Sequence, residues 1–409
     1  MTDGIKPPHP IRILLIAPNV SMRMGGEALK AMHIMTGLRE LGHEVIQLTH
    51  ARVRNELAAM QTGADIRYVE DGPMQIALYR LRLNWPLAAL GSWLLHRKAR
   101  EIMQEANVDI VHFTSPISPT LPYFNITGAP VVIGPLNGNI LHPPAFMHRE
   151  IRAKKLGAAV LTPFQKVIGS MFRGKRRATL LVSGGERTVE ALLLAGCSRQ
   201  RIVHTLDSGV DIGITAQPKL VHKGANHRFV FAGRLIRYKA CDLVIRALHH
   251  APKAQLDVVG DGDERAALEA LARSEGVTDR VHFHGWVTPG EPMRAILAQA
   301  RAFVFPSLAE ANGIVVQEAM MTGLPVVALN WGGPAALLDA DTGILIEPSS
   351  EEHVIGTLSA AMVRLGSDAD EAERLSKNAR AAAEAAGFAW PDLLTRWIKI
   401  YYWLTQSKL

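Results

Sequence analysis

The run Ile11-Arg-Ile-Leu-Leu-Ile-Ala17 is apolar at all but one position, the pattern of a strand buried on both faces. A Gly25-Gly26 pair follows, then a helical stretch to about Leu41, with Gly42 as its cap and Val45–Leu48 as the next strand. Strand, helix and strand in that order predict a parallel βαβ unit. Short apolar runs at Ile110–Phe113, Val131–Ile133 and Leu180–Val182 add strands to the first half. The second half repeats the rhythm, with strands at Phe229–Ala232, Leu256–Val259, Val281–Phe283, Ala302–Phe305 and Pro325–Ala328. Helices read there at 240–249, 264–275, 292–299 and 314–322, and the tail is helical and aromatic at about 370–380 and 391–406.

Two βα arrays in one chain predict an α/β protein with two Rossmann-like, doubly wound sheets. The seam between them reads at 212–227, where Pro218, Gly224 and polar residues separate Val210 from the strand at Phe229. A length of 409 residues suits two domains, and 48% hydrophobic with 20% charged residues is ordinary for a globular chain. Cys197 and Cys241 are the only cysteines and lie far apart, which suits a reducing compartment. The N-terminus has no basic stretch followed by an apolar one, so no signal peptide is expected. No apolar run reaches the roughly 18–20 residues of a spanning helix, and Leu83–Leu95 is broken by Pro86. These features predict a cytoplasmic protein.

Charge is uneven. Residues 1–215 hold 25 Lys and Arg against 16 Asp and Glu, a net +9, whereas 216–409 hold 20 against 22. The basic excess therefore belongs to the first half and favours an anionic partner there.

The densest chemistry lies in Phe305-Pro-Ser-Leu-Ala-Glu310-Ala-Asn-Gly313-Ile-Val-Val-Gln-Glu318. A strand ends at Phe305, a loop carries Glu310, and a helix starts at Gly313, which lets a ligand approach the backbone. Free N–H groups at a helix start bind phosphate oxygens. Glu318, about one turn in, can accept hydrogen bonds from two vicinal ribose hydroxyls, and Glu310 would stand nearer a sugar. Either Glu in isolation is more often solvated or a helix cap. In Gly233-Arg234-Leu-Ile-Arg-Tyr-Lys239, two cations between a strand end and a helix suit a diphosphate; solvated cations are the plainer reading. Gly260-Asp-Gly262 fits a tight strand-to-helix turn, with Arg265 where a dinucleotide fingerprint needs Gly. In His284-Gly285-Trp286 the backbone beside Gly285 can read a base, and Trp286 is a core or a stacking residue, core being the more frequent role.

Taken together these residues resemble glycosyltransferase family 4, of GT-B fold, over nearly the whole chain. Glu310-x7-Glu318 with Gly313 is similar to the donor-site signature of that family, and Gly233-Arg234…Lys239 to its diphosphate-binding segment. Gly209-Val210-Asp211 resembles the end of Asn-Gly-Val-Asp, with Asp207-Ser208 in place of the usual Pro-Asn. Trp331-Gly-Gly-Pro334 resembles the turn after the next strand.

The resemblance implies two Rossmann-like domains facing a cleft: an acceptor-side domain at 1–215, a nucleotide-sugar donor domain at 216–385, and a C-terminal helix, 386–409, returning toward the first. It implies that Glu318 binds the donor ribose, Glu310 contacts the sugar, and Arg234 and Lys239 hold the diphosphate. Backbone at Asn312, Gly313, Ile314, Gly233 and Gly260 would assist, and Gly285 with Trp286 would frame the base. Gly25 and Gly26 would face the donor phosphate, and Gly134, Asn137 and Gly138 the acceptor. Many members carry a second His two residues after the first; here Asp109-Ile-Val-His112 runs on into Phe113 and Thr114. His112 is then either a site residue or a packed or capping histidine.

The implied activity is retaining, metal-independent transfer of a hexose-type sugar from a UDP- or GDP-sugar to a glycan or lipid-linked acceptor, in cell-envelope or exopolysaccharide synthesis. The nucleotide sugar is substrate, and no cofactor or metal is expected; no His/Cys cluster has ligand spacing. Departure of the nucleoside diphosphate leaves an oxocarbenium-like sugar, stabilised by cations on the growing phosphate charge. The rival readings are a nucleotide-sugar epimerase, a non-catalytic nucleotide-sugar-binding protein, and a nicotinamide dehydrogenase, which the missing GxGxxG opposes. No nucleic-acid motif is present. Residues 145–178 interleave Arg149, Arg152, Lys154, Lys155, Lys166, Arg173, Lys175, Arg176 and Arg177 with apolar positions. Arg80, Arg82, Trp85, Trp93, Arg97, Lys98 and Arg100 repeat the pattern within 80–100. Both segments suit an anionic membrane surface, so peripheral contact with the inner face of a membrane is expected, against the plainer reading of solvated helix faces.

Overall fold

The computed structural model of the chain describes residues 9–24, 26–119, 121–138, 141–149, 171–215, 220–288 and 290–406. It divides into two compact units. The first comprises Met1–Asn139, Gly157–Ser208 and Trp390–Leu409, the second Ile140–Leu156 and Gly209–Ala389. The division thus falls at 208/209 rather than 215/216, and a segment ahead of it, described over 141–149, belongs with the second unit. There the Trp331 indole N–H donates to the Leu141 carbonyl at 2.9 Å. Arg149 pairs with Asp242 at 2.9 Å and with Glu351 at 2.6 Å.

The first unit is built on a parallel sheet of seven strands. These are β1 (Arg12–Ile16), β2 (Glu44–His50), β3 (Asp65–Val69), β4 (Ile110–Phe113), β5 (Val131–Leu136), β6 (Thr179–Val182) and β7 (Ile202–His204), ordered β3-β2-β1-β4-β5-β6-β7. Successive strand side chains alternate between faces, and both faces are covered. Ile13 and Leu15 of β1 enter a cluster with Met32, Met35 and Leu38 of helix α1 (Gly26–Glu40) and with Leu393, Leu394, Trp397 and Tyr401 of the C-terminal helix Trp390–Gln406. Leu14 and Ile16 enter another with Leu95, Ala99 and Ile102 of the long helix Asn84–Glu105. The C-terminal helix buries Trp390, Leu393, Leu394, Trp397, Ile398 and Tyr401, a stripe at helical spacing. Each large apolar side chain in that stripe contributes about 1.5–3 kcal/mol.

The second unit is a parallel sheet of β8 (Arg228–Ala232), β9 (Gln255–Val259), β10 (Val281–Gly285), β11 (Ala302–Phe305), β12 (Val326–Leu329) and β13 (Gly343–Ile346), ordered β10-β9-β8-β11-β12-β13. Strand order reverses between β8 and β11 here, and between β1 and β4 in the first unit. Ligands of open α/β sheets bind at such switch points, outside the carboxyl ends of the strands. The segments Gly233–Lys239 and Pro306–Gly313 leave the two strands flanking the switch in the second unit. Strands β3, β7 and β13 and the helix Glu351–Ser367 add to the elements expected from the sequence.

Candidate functional site

In the second unit β8 delivers Gly233 and then Arg234, an exposed guanidinium 3.4 Å from the Tyr238 hydroxyl. A short 3₁₀ turn, Arg237–Lys239, turns the chain back into the helix Cys241–Ala247. Lys239 is mostly buried and ion-pairs with Glu310 of the loop after β11, while its ammonium lies 4.8 Å from the Phe305 ring centre. The Leu308 N–H donates to the Tyr238 carbonyl at 2.8 Å, so the two loops are joined through backbone as well as through charge. Beyond them the Gly333 N–H donates to the Glu310 carbonyl at 2.7 Å, which brings the Trp331–Pro334 turn under the same loop.

Gly313 opens the helix Ile314–Thr322 with φ 68°, a left-handed conformation that a branched side chain would strain. That turn places Asn312, Gly313 and Ile314 at the helix start, where the first N–H groups lie outside the helical ladder. Glu318 is half-buried and accepts no hydrogen bond among the described residues. Burial pushes its carboxyl up to about 7, and the neighbouring Asp211 carboxylate raises it further. An acceptor carboxylate in a sheltered place with nothing to accept from is suited to ligand hydroxyls.

The loops after β8, β9 and β10 are stitched by backbone. Gly233 N–H donates to Val259 O at 2.9 Å and Gly260 N–H to Gly285 O at 2.8 Å. A Cβ on Gly260 would stand 2.0 Å from the Gly233 carbonyl oxygen, so only glycine allows this approach. Trp286 is 75% exposed beside Gly285. The core role expected as the more frequent one is therefore corrected: the indole stands in the open. His284 turns to the buried Asp257, 2.6 Å away, which also holds Arg228.

In the first unit Gly26 opens α1, and Gly25 lies outside the described residues. The Ser115 hydroxyl donates to Glu27 of that first turn at 2.5 Å. His112 ends in neither cavity nor solvent. It is fully buried, with Nε2 2.8 Å from the Gly134 carbonyl and Nδ1 2.6 Å from the Tyr401 hydroxyl. Burial lowers it to about 4, followed by the nearby Lys30 charge. A neutral ring with both nitrogens engaged packs the C-terminal helix onto the sheet, so the geometry assigns His112 to structure and not to proton transfer.

Sequence reasoning missed a buried network next to it. Lys30 of α1, 2% exposed, pairs with Asp207 at 2.9 Å. Asn137 donates its amide to the same carboxylate oxygen at 3.1 Å, and Ser208 donates to the other at 3.2 Å. The Gly138 carbonyl accepts from the Thr188 hydroxyl at 2.9 Å. Asn137 is thus tied through Asp207 to α1, and Gly138 is held by Thr188. The signal was available: a Lys amid Ala28, Ala31 and Met32 of one helix, and an Asp where the resembled pattern has Pro.

Of the basic segment 145–178, residues 150–170 lie outside the described ones. Two of its flanking cations do not face a membrane. Arg149 is held by Asp242 and Glu351, and Lys175, 2% exposed, donates to the Pro119 carbonyl. Burial lowers the Lys175 ammonium to about 8. Among the described residues no helix is long and apolar enough to cross a membrane, and no group of three or more His, Cys, Asp or Glu could hold a metal ion.

Residues 215–382 match the family described as glycosyl transferases group 1. A D-inositol 3-phosphate glycosyltransferase of Xylanimonas cellulosilytica is 28% identical over 94% of this chain and 93% of its own length. The lipopolysaccharide core biosynthesis glycosyltransferase LpsE of Rhizobium meliloti is 34% identical, over 29% of this chain and 35% of its own length. In fold, the chain is similar to Anabaena HepE, solved with UDP and glucose, with a TM-score of 0.64 at 19% identity over 98% of this chain and all of that one. The matched family segment is the one that carries Arg234, Lys239, Glu310, Gly313 and Glu318, and the fold is the GT-B type. Residues 215–382 thus match the group 1 glycosyl transferases, and over most of its length the chain is similar to a glycosyltransferase.

Proposed function

We propose that the protein is a retaining, metal-independent glycosyltransferase of family 4 that moves a hexose-type sugar from a UDP- or GDP-sugar to a glycan or lipid-linked acceptor of cell-envelope or exopolysaccharide synthesis. The observation that carries this reading is the grouping at the switch point of the second sheet. A cation pair, a carboxylate and a glycine-opened helix start meet there, with the unpartnered Glu318 carboxyl one turn further on.

In this reading the diphosphate lies between Arg234, Lys239 and the backbone at Gly313 and Ile314, and the ribose hydroxyls donate to Glu318. The base lies beside Gly285 and Trp286. Lys239 exchanges Glu310 for phosphate when the donor arrives, which frees Glu310 to orient the sugar. The bond from the anomeric carbon to the phosphate oxygen then breaks, and its electron pair goes to the diphosphate. The acceptor hydroxyl attacks from the same face and gives its proton to the leaving phosphate. The two cations stabilise charge that grows only as the bond breaks. Gly26 faces the donor phosphate, and Gly134, Asn137 and Gly138 belong to the acceptor side. HepE, solved with UDP and glucose, supports a uridine donor. The enzyme works in the cytoplasm at an anionic membrane surface, contacted through basic residues within 80–100.

Thermal stability against a panel of nucleoside diphosphates and their sugars, with chelator present, tests the donor site. A ligand at 100 times its dissociation constant stabilises by about 2.7 kcal/mol. A shift for one base that vanishes in Glu318→Ala names the donor, and radiolabelled transfer then separates a transferase from an epimerase. No shift with any of them overturns the proposal.

A further inference from the structure

Helix α2 (Arg54–Ala59) and strand β3 lead into two helices, α3 (Pro73–Arg80) and α4 (Asn84–Glu105), joined by a short turn. Helix α3 is inside out. Its one buried residue is Gln75, while Met74 is 66%, Ile76 44% and Tyr79 74% exposed. The turn continues the display, with Leu81 68% and Leu83 45% exposed, and Trp93 follows on α4 at 42%. A helix in a globular protein turns its apolar stripe to the core. Here Tyr79, Leu81 and Leu83 stand exposed together along the turn, with Met74 and Ile76 exposed on α3 and Trp93 on α4, and exposed apolar surface of that kind marks interaction sites.

Two further observations say what covers the corner. From Gly72 to Arg100 there are five Lys and Arg and no Asp or Glu. At its tip Tyr79-Arg80-Leu81-Arg82-Leu83 alternates apolar and cationic residues, and Arg80 and Arg82 form no ion pair among the described residues. Arg82 is also held at φ 54°, a left-handed conformation that costs a bulky residue of order 1 kcal/mol and turns the chain sharply between Leu81 and Leu83. Apolar side chains flanked by unpaired cations complement acyl chains below a layer of lipid phosphates. A second copy fits poorly, because a twofold contact would set Arg80 and Arg82 against their own counterparts.

We propose that the α3–α4 corner is a wedge that docks the protein on an anionic bilayer, with Tyr79, Leu81 and Leu83 entering the acyl boundary and Arg80 and Arg82 engaging lipid phosphates. This deepens the membrane reading given under the proposed function by naming the inserting element, and it places the apolar anchor ahead of the 145–178 segment. Attraction through the two arginines weakens with salt, and the apolar part does not.

The test uses the full chain with vesicles of phosphatidylglycerol and phosphatidylcholine, and with phosphatidylcholine alone. Both native cysteines are buried, so Leu81→Cys supplies one exposed thiol for an environment-sensitive dye. The expected result is a blue shift on the anionic vesicles only. Tyr79→Ser/Leu81→Ser/Leu83→Ser is expected to co-sediment on the order of tenfold or more weakly at any salt concentration. Arg80→Gln/Arg82→Gln is expected to weaken binding at low salt and to lose much of the salt dependence. Equal binding of the triple serine variant and the parent, or an unshifted dye, overturns the proposal. So does a dimer in sedimentation velocity that the triple variant abolishes, since the corner would then be a contact between copies. Donor-induced thermal shifts measured on the same variants separate the two readings: they stay intact if only the wedge is wrong, and are missing from the parent as well if the donor site is wrong.

Discussion

The Tyr401 hydroxyl stands 2.6 Å from Nδ1 of His112, whose Nε2 stands 2.8 Å from the Gly134 carbonyl. The carbonyl can only accept, so Nε2 donates to it, and in the neutral ring that burial favours Nδ1 accepts from Tyr401. The unfolded histidine takes up a proton near pH 6.5, whereas the folded one resists until about 4. The folded chain then binds fewer protons in that window, so stability falls as pH drops through it, by about 1.4 kcal/mol per unit from this group. His96, also buried and lowered to about 4, acts in the same sense. Denaturant midpoints across this range are expected to show a shallower decline in His112→Gln than in the parent. Tyr401→Phe should cost about 1–2 kcal/mol while leaving donor binding unchanged.

Lys239 in the free protein is neutralised by Glu310. Removing it, or Arg234, should slow sugar transfer by about 10²–10³-fold, because the charge each stabilises appears as the bond breaks. The KM for the donor should change far less than kcat, and steady-state kinetics on the two alanine variants check this.

Glu318 keeps its proton up to about 7 in the fold, while an unfolded glutamate loses it near 4.5. Between those values the unfolded state holds fewer protons, so this group makes stability fall as pH rises, the opposite sense to His112. Glu318→Gln should therefore raise stability at pH 8 by about 1–3 kcal/mol. The same variant should lose the donor-induced thermal shift. A gain in stability with loss of binding is the signature of a residue held for its ligand.

Lys30 and Asp207 form a buried pair that also holds Asn137. Lys30→Met leaves the buried carboxylate without its cation and should destabilise by about 3–5 kcal/mol. Lys30→Met/Asp207→Asn removes both charges and keeps an acceptor for Asn137, so much of that loss should return. Urea unfolding of the two single variants and the double one closes the cycle.

The alternating core of the fold was legible because β1, β4, β8 and β11 are nearly continuous apolar runs. Strand β3 was not, since Asp65 and Arg67 interrupt it; it lies at the sheet edge, where one side of the ladder has no partner strand. The Glu310–Glu318 block stood out because its glycine, helix start and carboxylates are close in sequence. His112 and Arg149 did not, because their environments come from elsewhere. Tyr401 is 289 residues from His112, and Glu351 is 202 from Arg149. Trp286 misled for a different reason: an indole after a strand has the same spacing whether it packs inward or stands free.

The stripe Trp390–Tyr401 also sets an order of events at the ribosome. Domains usually fold in the order they are made. Here every residue of the second unit precedes position 390, so that unit has its whole sequence first. The first unit waits with Ile13, Leu15, Met32 and Met35 uncovered until Leu393, Leu394, Trp397 and Tyr401 are synthesised. The half translated earliest is completed last, and a chain stopped short of Trp390 would release a folded second unit tethered to an aggregation-prone first.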